Sequence, residues 1–206
     1  MPDQGDQRGQ VMADIYLVGV GGQGIVTASR IIGEAALIAG RNVLLSETHG
    51  MAQRGGSVVC TARIGDVHSP LIPAGSVDAI LSLELLETVR AACVASPNTV
   101  VVSSTERVVP LSVSSQRLKY PTLEEARATI AQSAGRFIAI DAPRIAEQEG
   151  VKMSTNIVML GALVGTGVTG IERVSFEKAI SANIRTKLNE NLAAFGRGFS
   201  EGERVR

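Results

Sequence analysis

Short runs of consecutive apolar residues alternate in this chain with longer stretches whose apolar positions recur every three or four residues. Residues 14–20 (DIYLVGV) form a β-rich run that ends in glycines. Residues 25–39 follow, with Ile25, Ala28, Ile31, Ile32, Ala35 and Ile38 on one helical face, and Gly40 is placed to cap the helix. Residues 42–47 (NVLLSE) predict the second parallel strand, so residues 14–47 read as one β–α–β unit. Residues 57–64 alternate Val58, Cys60, Ala62 and Ile64 with Ser57, Val59, Thr61 and Arg63. This period of two predicts a strand, joined across Gly65–Asp66 to a short hairpin partner. The apolar runs at 77–83 and 99–103 predict strands covered on both faces, with a helix over 84–94 between them.

Residues 110–121 read as an irregular excursion. Thr122 then opens a helix through a capping box with Glu125. A further strand is predicted at 137–141, and Asp141 opens a short helix running to 149. Helices follow over 155–165, 175–187 and 190–195. Strands alternating with helices predict an α/β fold: a Rossmann-like open, mostly parallel sheet with helices on both faces and a β-hairpin addition. One domain is expected over 14–196. A polar leader at 1–13 is expected to be disordered, and a glycine-rich tail at 197–206 to be flexible.

Composition narrows the function classes. The 206 residues carry 20 Lys+Arg against 20 Asp+Glu, so no overall field favours nucleic acid or an anionic membrane. Aromatics are 3% with no Trp, which leaves little to stack bases on. Neither a signal core nor a run of about 18 uninterrupted apolar residues is found, and a cytoplasmic location is expected. Cys60 and Cys93 are read as two buried, reduced cysteines, too few for an iron–sulfur cluster or a C-x-x-C pair. With only His49 and His68 as histidines, no zinc ligand set is evident.

Two loops carry the candidate chemistry. Gly19, Gly21, Gly22, Gln23 and Gly24 fit G-x-G-x-x-G directly after the first strand and at the start of the first helix. Glycines there permit a tight turn and close approach of a phosphate, and the helix end offers free N–H groups to an anion. Glu47 stands about 20 residues on, where a dinucleotide-binding domain holds ribose hydroxyls. Equally, the loop reads as a device for close packing of strand, helix and partner surface. The second loop follows the second strand and holds His49, Gln53, Arg54 and Gly55. Arg54 suits a bidentate clamp on a carboxylate or phosphate, and Gln53 suits orienting the same group. His49 is either an acid/base or a binding and loop-ordering residue. No nucleophile, base and orienting acid close into a catalytic set within the chain.

Together, GVGGQG after the first strand and SETHGMAQRGG after the second resemble the gamma-type domain of 2-oxoacid:ferredoxin oxidoreductases, nearest the small subunit of the indolepyruvate type. The resemblance spans roughly residues 15–195. It takes in residues 77–89, where Glu84-Leu85-Leu86-Glu87 replaces the Glu-Pro-x-Glu of relatives, and Met153-Ser154-Thr155-Asn156 before an apolar helix. It implies oxidative decarboxylation of a 2-oxoacid with coenzyme A and reduction of ferredoxin. It also implies that thiamine diphosphate, Mg and [4Fe–4S] clusters reside in a larger partner subunit, in a heterotetramer, with no cofactor held firmly by this chain. Gly19, Gly21, Gly22, Gln23 and Gly24 would form one wall of a coenzyme A or substrate site, and Glu47, His49, Gln53, Arg54 and Gly55 its neighbour. Alone, the chain would self-associate through its partner surface. The rival readings are a free-standing NAD- or FAD-binding oxidoreductase, an adenylating enzyme of the ubiquitin-activating type, and a pure interaction module.

Overall fold

The computed structural model describes residues 13–49, 56–108 and 120–205. Among these, six strands form one sheet in the order β2-β3-β1-β4-β5-β6. The strands are β1 (Ala13–Val20), β2 (Val43–His49), β3 (Ser57–Ile64), β4 (Ala79–Ser82), β5 (Val100–Ser104) and β6 (Arg136–Ile140). The helices are α1 (Ile25–Ile38), α2 (Leu85–Ala91), α3 (Leu123–Ile130), α4 (Ala142–Gln148), α5 (Thr155–Gly165), α6 (Arg173–Asn183) and α7 (Leu188–Glu203). β1, β4, β5 and β6 run parallel, while β3 is antiparallel to both β1 and β2. The mixed, mostly parallel sheet is the one expected.

Its connectivity departs from expectation at β2. The β1–α1–β2 crossover is present, but β3 lies between the two strands, so β2 is the sheet edge and not the neighbour of β1. The antiparallel addition is therefore made by β2 and β3. Among the described residues no strand pairs with β3 across Gly65–Asp66. Both edges of β3 are already bonded along its length, by β1 and by β2, which leaves no edge for a further partner. Instead the Arg63 Nη1 donates to the Ser69 and Leu71 carbonyls at 2.9 and 3.0 Å, and Nε and Nη2 hold Asp14 on β1 bidentately at 2.8 and 3.0 Å.

Alternation along β1 sends Ile15 and Leu17 to one face and Tyr16 and Val18 to the other. The first face carries α1, α4, α5, α6 and α7 around the main core; the second carries α2 and α3. All eleven residues of α5 are buried, as befits a helix apolar all round.

The tail expected over 197–206 is instead the last two turns of α7, which runs to Glu203. Glycine-rich composition pointed to flexibility, yet these glycines form a contact surface. A Cβ at Gly198 or Gly202 would strike the backbone oxygen of Val158 or Ala162 on α5. The reciprocal glycines of α5, Gly161 and Gly165, meet the backbone oxygens of Phe195 and Phe199. Two helices approach this closely only where side chains are absent. At the other end, Ala13 is the first residue of β1 and fully buried; the remainder of the expected leader lies outside the described residues.

Candidate functional site

The carboxyl ends of β1, β4 and β5 converge on the glycine loop, the edge at which open α/β sheets bind ligands. Gly22 and Gly24 have φ of +103° and +82°, conformations that L side chains rarely adopt. Gly24 caps α1 with no side-chain bond to its free N–H groups, and the first turn of α1 holds no acidic residue. The N-terminus of α5 lies alongside: Asn156 donates its side-chain amide to the Gly24 carbonyl at 3.2 Å. Ser154, which caps α5, makes no side-chain cap bond, and that first turn also lacks an acid. Among the described residues neither helix N-terminus is capped by a side chain, and the two adjoin at one edge, an arrangement that favours negative charge.

A cleft of about 290 Å³ opens here, lined by Val20, Gly21, Gly22, Gly24, Ile25, Val26 and Val58. Its walls are backbone and small aliphatic side chains. Gly19, one residue before the end of β1, is not among the lining residues; a Cβ there would approach the Ile25 side chain to 2.9 Å. Gln23 is turned inward. Its Oε1 accepts from the Val20 N–H at 2.8 Å, while Nε2 donates to the Leu83 carbonyl at 3.0 Å and the Glu106 carboxylate at 3.1 Å. Every hydrogen-bonding group of this amide but one lone pair is thereby used in holding the loop. Glu106 gave no motif to the sequence reading; its only signal is an acid just beyond the carboxyl end of a strand. Asn156 belonged to a recognised string but was not assigned to the site.

The glycine loop is braced to the second loop. Gly21 donates its N–H to the Gly56 carbonyl at 2.9 Å, and Ser57, one residue on, donates its hydroxyl to Glu87 at 2.6 Å. His49 ends β2 opposite Val58, so the second loop leaves from the same edge as the first. Gln53, Arg54 and Gly55 lie outside the described residues. Glu47 is exposed and pairs in register with Cys60 of β3. The inserted β3 puts Glu47 two strand spacings, roughly 10 Å, from β1, which is not the neighbouring-strand relation of a dinucleotide-binding domain.

Where relatives are expected to carry a proline after Glu84, the turn still forms. Glu84 caps α2, accepting from the Glu87 N–H at 2.9 Å and the Val108 N–H at 3.2 Å. Burial pushes the Glu84 and Glu106 carboxyls above the ordinary range, opposed by these N–H bonds at Glu84 and by Gln23 at Glu106. Cys60 is buried, and desolvation, with the Glu47 charge, lifts its thiol to about 11. Cys93, expected to be buried, is exposed on a 3-10 turn after α2. An apolar sequence neighbourhood did not imply burial because that turn crosses the surface. Among the described residues, no group of three or more His, Cys, Asp and Glu is arranged to hold a metal ion, and no helix is long and apolar enough to cross a membrane.

Comparison with known proteins agrees with this architecture. Residues 14–201 match the family described as pyruvate ferredoxin/flavodoxin oxidoreductase. The chain is 44% identical over 191 residues to indolepyruvate oxidoreductase subunit IorB of Archaeoglobus fulgidus, covering 91% of this chain and 94% of that one. It is 42% identical to the subunit of the same name from Methanothermobacter thermautotrophicus, over 90% of this chain and 95% of that one. Among solved structures, the keto/oxoacid ferredoxin oxidoreductase gamma subunit from Geobacter sulfurreducens superposes with a TM-score of 0.68 at 25% identity, covering 93% of this chain and 99% of that one. The 2-oxoglutarate:ferredoxin oxidoreductase from Magnetococcus marinus, solved with 2-oxoglutarate, coenzyme A and succinyl-CoA bound, shares the fold at a TM-score of 0.74 and 19% identity; 96% of this chain matches 32% of that one. With residues 14–201 matched by the family and 44% identity to a relative covered almost end to end, this chain belongs to the pyruvate ferredoxin/flavodoxin oxidoreductase family.

Proposed function

We propose that this chain is the small subunit of an indolepyruvate- or arylpyruvate-type 2-oxoacid:ferredoxin oxidoreductase. The complex converts a 2-oxoacid, coenzyme A and two oxidised ferredoxins into acyl-CoA, carbon dioxide, a proton and two reduced ferredoxins. The observation that carries the reading is 44% identity, over almost the full length of both chains, to an indolepyruvate oxidoreductase subunit. Thiamine diphosphate with Mg, which supplies the carbanion chemistry, and the [4Fe–4S] clusters belong to the large subunit, with which this chain forms a cytoplasmic heterotetramer.

In that complex the carboxyl edge seats coenzyme A. The glycine loop of Gly19, Gly21, Gly22, Gln23 and Gly24 forms one wall, and the paired N-termini of α1 and α5 face the phosphates. Glu47, His49, Gln53, Arg54 and Gly55 form the neighbouring wall, with Arg54 as the phosphate or carboxylate clamp. A free-standing dinucleotide enzyme is disfavoured by the displacement of Glu47 from β1 and by a cleft of about 290 Å³, small for two nucleotides. The test is co-expression with the large subunit and assay of viologen reduction by indolepyruvate, phenylpyruvate and pyruvate. Preference for the aryl substrates, and an increased KM for coenzyme A in Arg54→Ala with assembly intact, are expected. Assembly with unchanged kinetics in Arg54→Ala and His49→Ala would reduce the second loop to scaffolding.

A further inference from the structure

Three strands of the sheet end on one side chain. The Gln23 amide joins Val20 at the end of β1, Leu83 just beyond β4 and Glu106 just beyond β5. Glu106 is itself fixed from both sides, its N–H donating to the Ser104 hydroxyl at 3.1 Å and its carbonyl accepting from the Leu85 N–H at 3.1 Å. Among the described residues, the side-chain hydrogen bond of its carboxylate is the one from Gln23. A partly buried carboxylate costs free energy unless hydrogen bonds compensate it. What this one does is fix the second Nε2 hydrogen of Gln23 with a charge-assisted bond. Gln23 lies between Gly22 and Gly24, whose backbone lines the cleft, so the amide limits how that backbone can turn.

We propose that Glu106 is a positioning residue: through Gln23 it holds the glycine loop in the conformation that receives coenzyme A, without touching the ligand. The inference rests on the reading of the cleft as the coenzyme A seat.

The test is steady-state kinetics on the co-expressed complex at saturating 2-oxoacid and dye. Loss of a hydrogen bond to a charged group corresponds to about tenfold or more. Glu106→Leu is therefore expected to raise KM for coenzyme A on the order of tenfold, with kcat within about twofold and no lower melting temperature. Glu106→Gln, which keeps an acceptor without the charge, is expected to bring KM back to within about threefold of the natural complex. Since Glu106 acts only through Gln23, Glu106→Leu should add nothing in a Gln23→Ala background. Glu106→Ala provides the same loss if the Leu variant folds poorly. Val26→Trp, which fills the cleft, separates the two claims. If it raises KM while Glu106→Leu does not, the positioning role is overturned and the cleft stands; if Val26→Trp leaves KM unchanged, the cleft reading itself fails. An equal effect of Glu106→Leu in both backgrounds, or a fall in melting temperature that tracks KM and is not restored by Gln, would also overturn the role of Glu106.

Discussion

Asn156 and Gly24, 132 positions apart in the chain, are locked to one another at the mouth of the cleft. The amide of Asn156 donates to the Gly24 carbonyl at 3.2 Å, and a Cβ on Gly24 would meet the same amide nitrogen at 2.6 Å. The pair fixes where α1 begins relative to α5. It also explains why glycine is needed at a helix cap with φ of +82°.

Substitution at this pair should be coupled. Asn156→Ala is expected to cost about 1 kcal/mol for the lost bond. Gly24→Ala is expected to cost about 1–2 kcal/mol for the left-handed backbone, plus the clash. The double variant relieves the clash and should lose less than the sum. Urea unfolding of the three proteins measures this, and strict additivity would mean the pair does not touch.

The glycines of α7 separate by position. Gly198→Ala drives a methyl into the Val158 backbone oxygen and is expected to destabilise by about 2 kcal/mol or more. Gly196→Ala meets only the Arg173 guanidinium at 3.3 Å, the end of a flexible side chain, and should stabilise by about 0.5–1 kcal/mol as a glycine removed from a helix interior. Thermal melting of both variants checks this; equal effects would contradict the close helix crossing.

Thiol reactivity at pH 8 should distinguish the cysteines. Cys93 is exposed and is expected to react within minutes with an aromatic disulfide reagent. Cys60, buried with a thiol lifted to about 11, should react only on denaturation. Two fast thiols in the native protein would contradict the burial of β3.

Glu106 gives a pH dependence of defined sign. Burial raises its carboxyl above the ordinary 4.5, so the folded chain holds the proton more tightly than the unfolded chain. Its contribution to stability is full below that ordinary value and is lost as pH rises through the raised folded one. Glu106→Gln does not titrate. Its stability relative to the natural chain should therefore improve as pH is raised from 4 towards neutrality and then level off. Urea midpoints at each pH measure this, and a pH-independent difference would contradict it.

The fold class was legible because apolar runs such as 77–83 and the α1 face have unambiguous periods. The insertion of β3 between β1 and β2 was not, since a period of two says that residues 57–64 pair but not with which strands. The α7 glycines misled for a related reason. Composition records that side chains are missing at Gly198 and Gly202, and only packing against α5 shows what replaces them. At the site, the glycine loop was recognisable from spacing. Glu106 and Asn156 were not, because each acts by a contact across the sheet edge to a residue at least 83 positions away.

The most direct test of the central claim is to titrate the purified small subunit into its purified large subunit while following indolepyruvate- and coenzyme A-dependent viologen reduction. Activity that rises from near zero and saturates at one small subunit per large subunit is the predicted result. A large subunit fully active alone, or no association between the two chains, would contradict it.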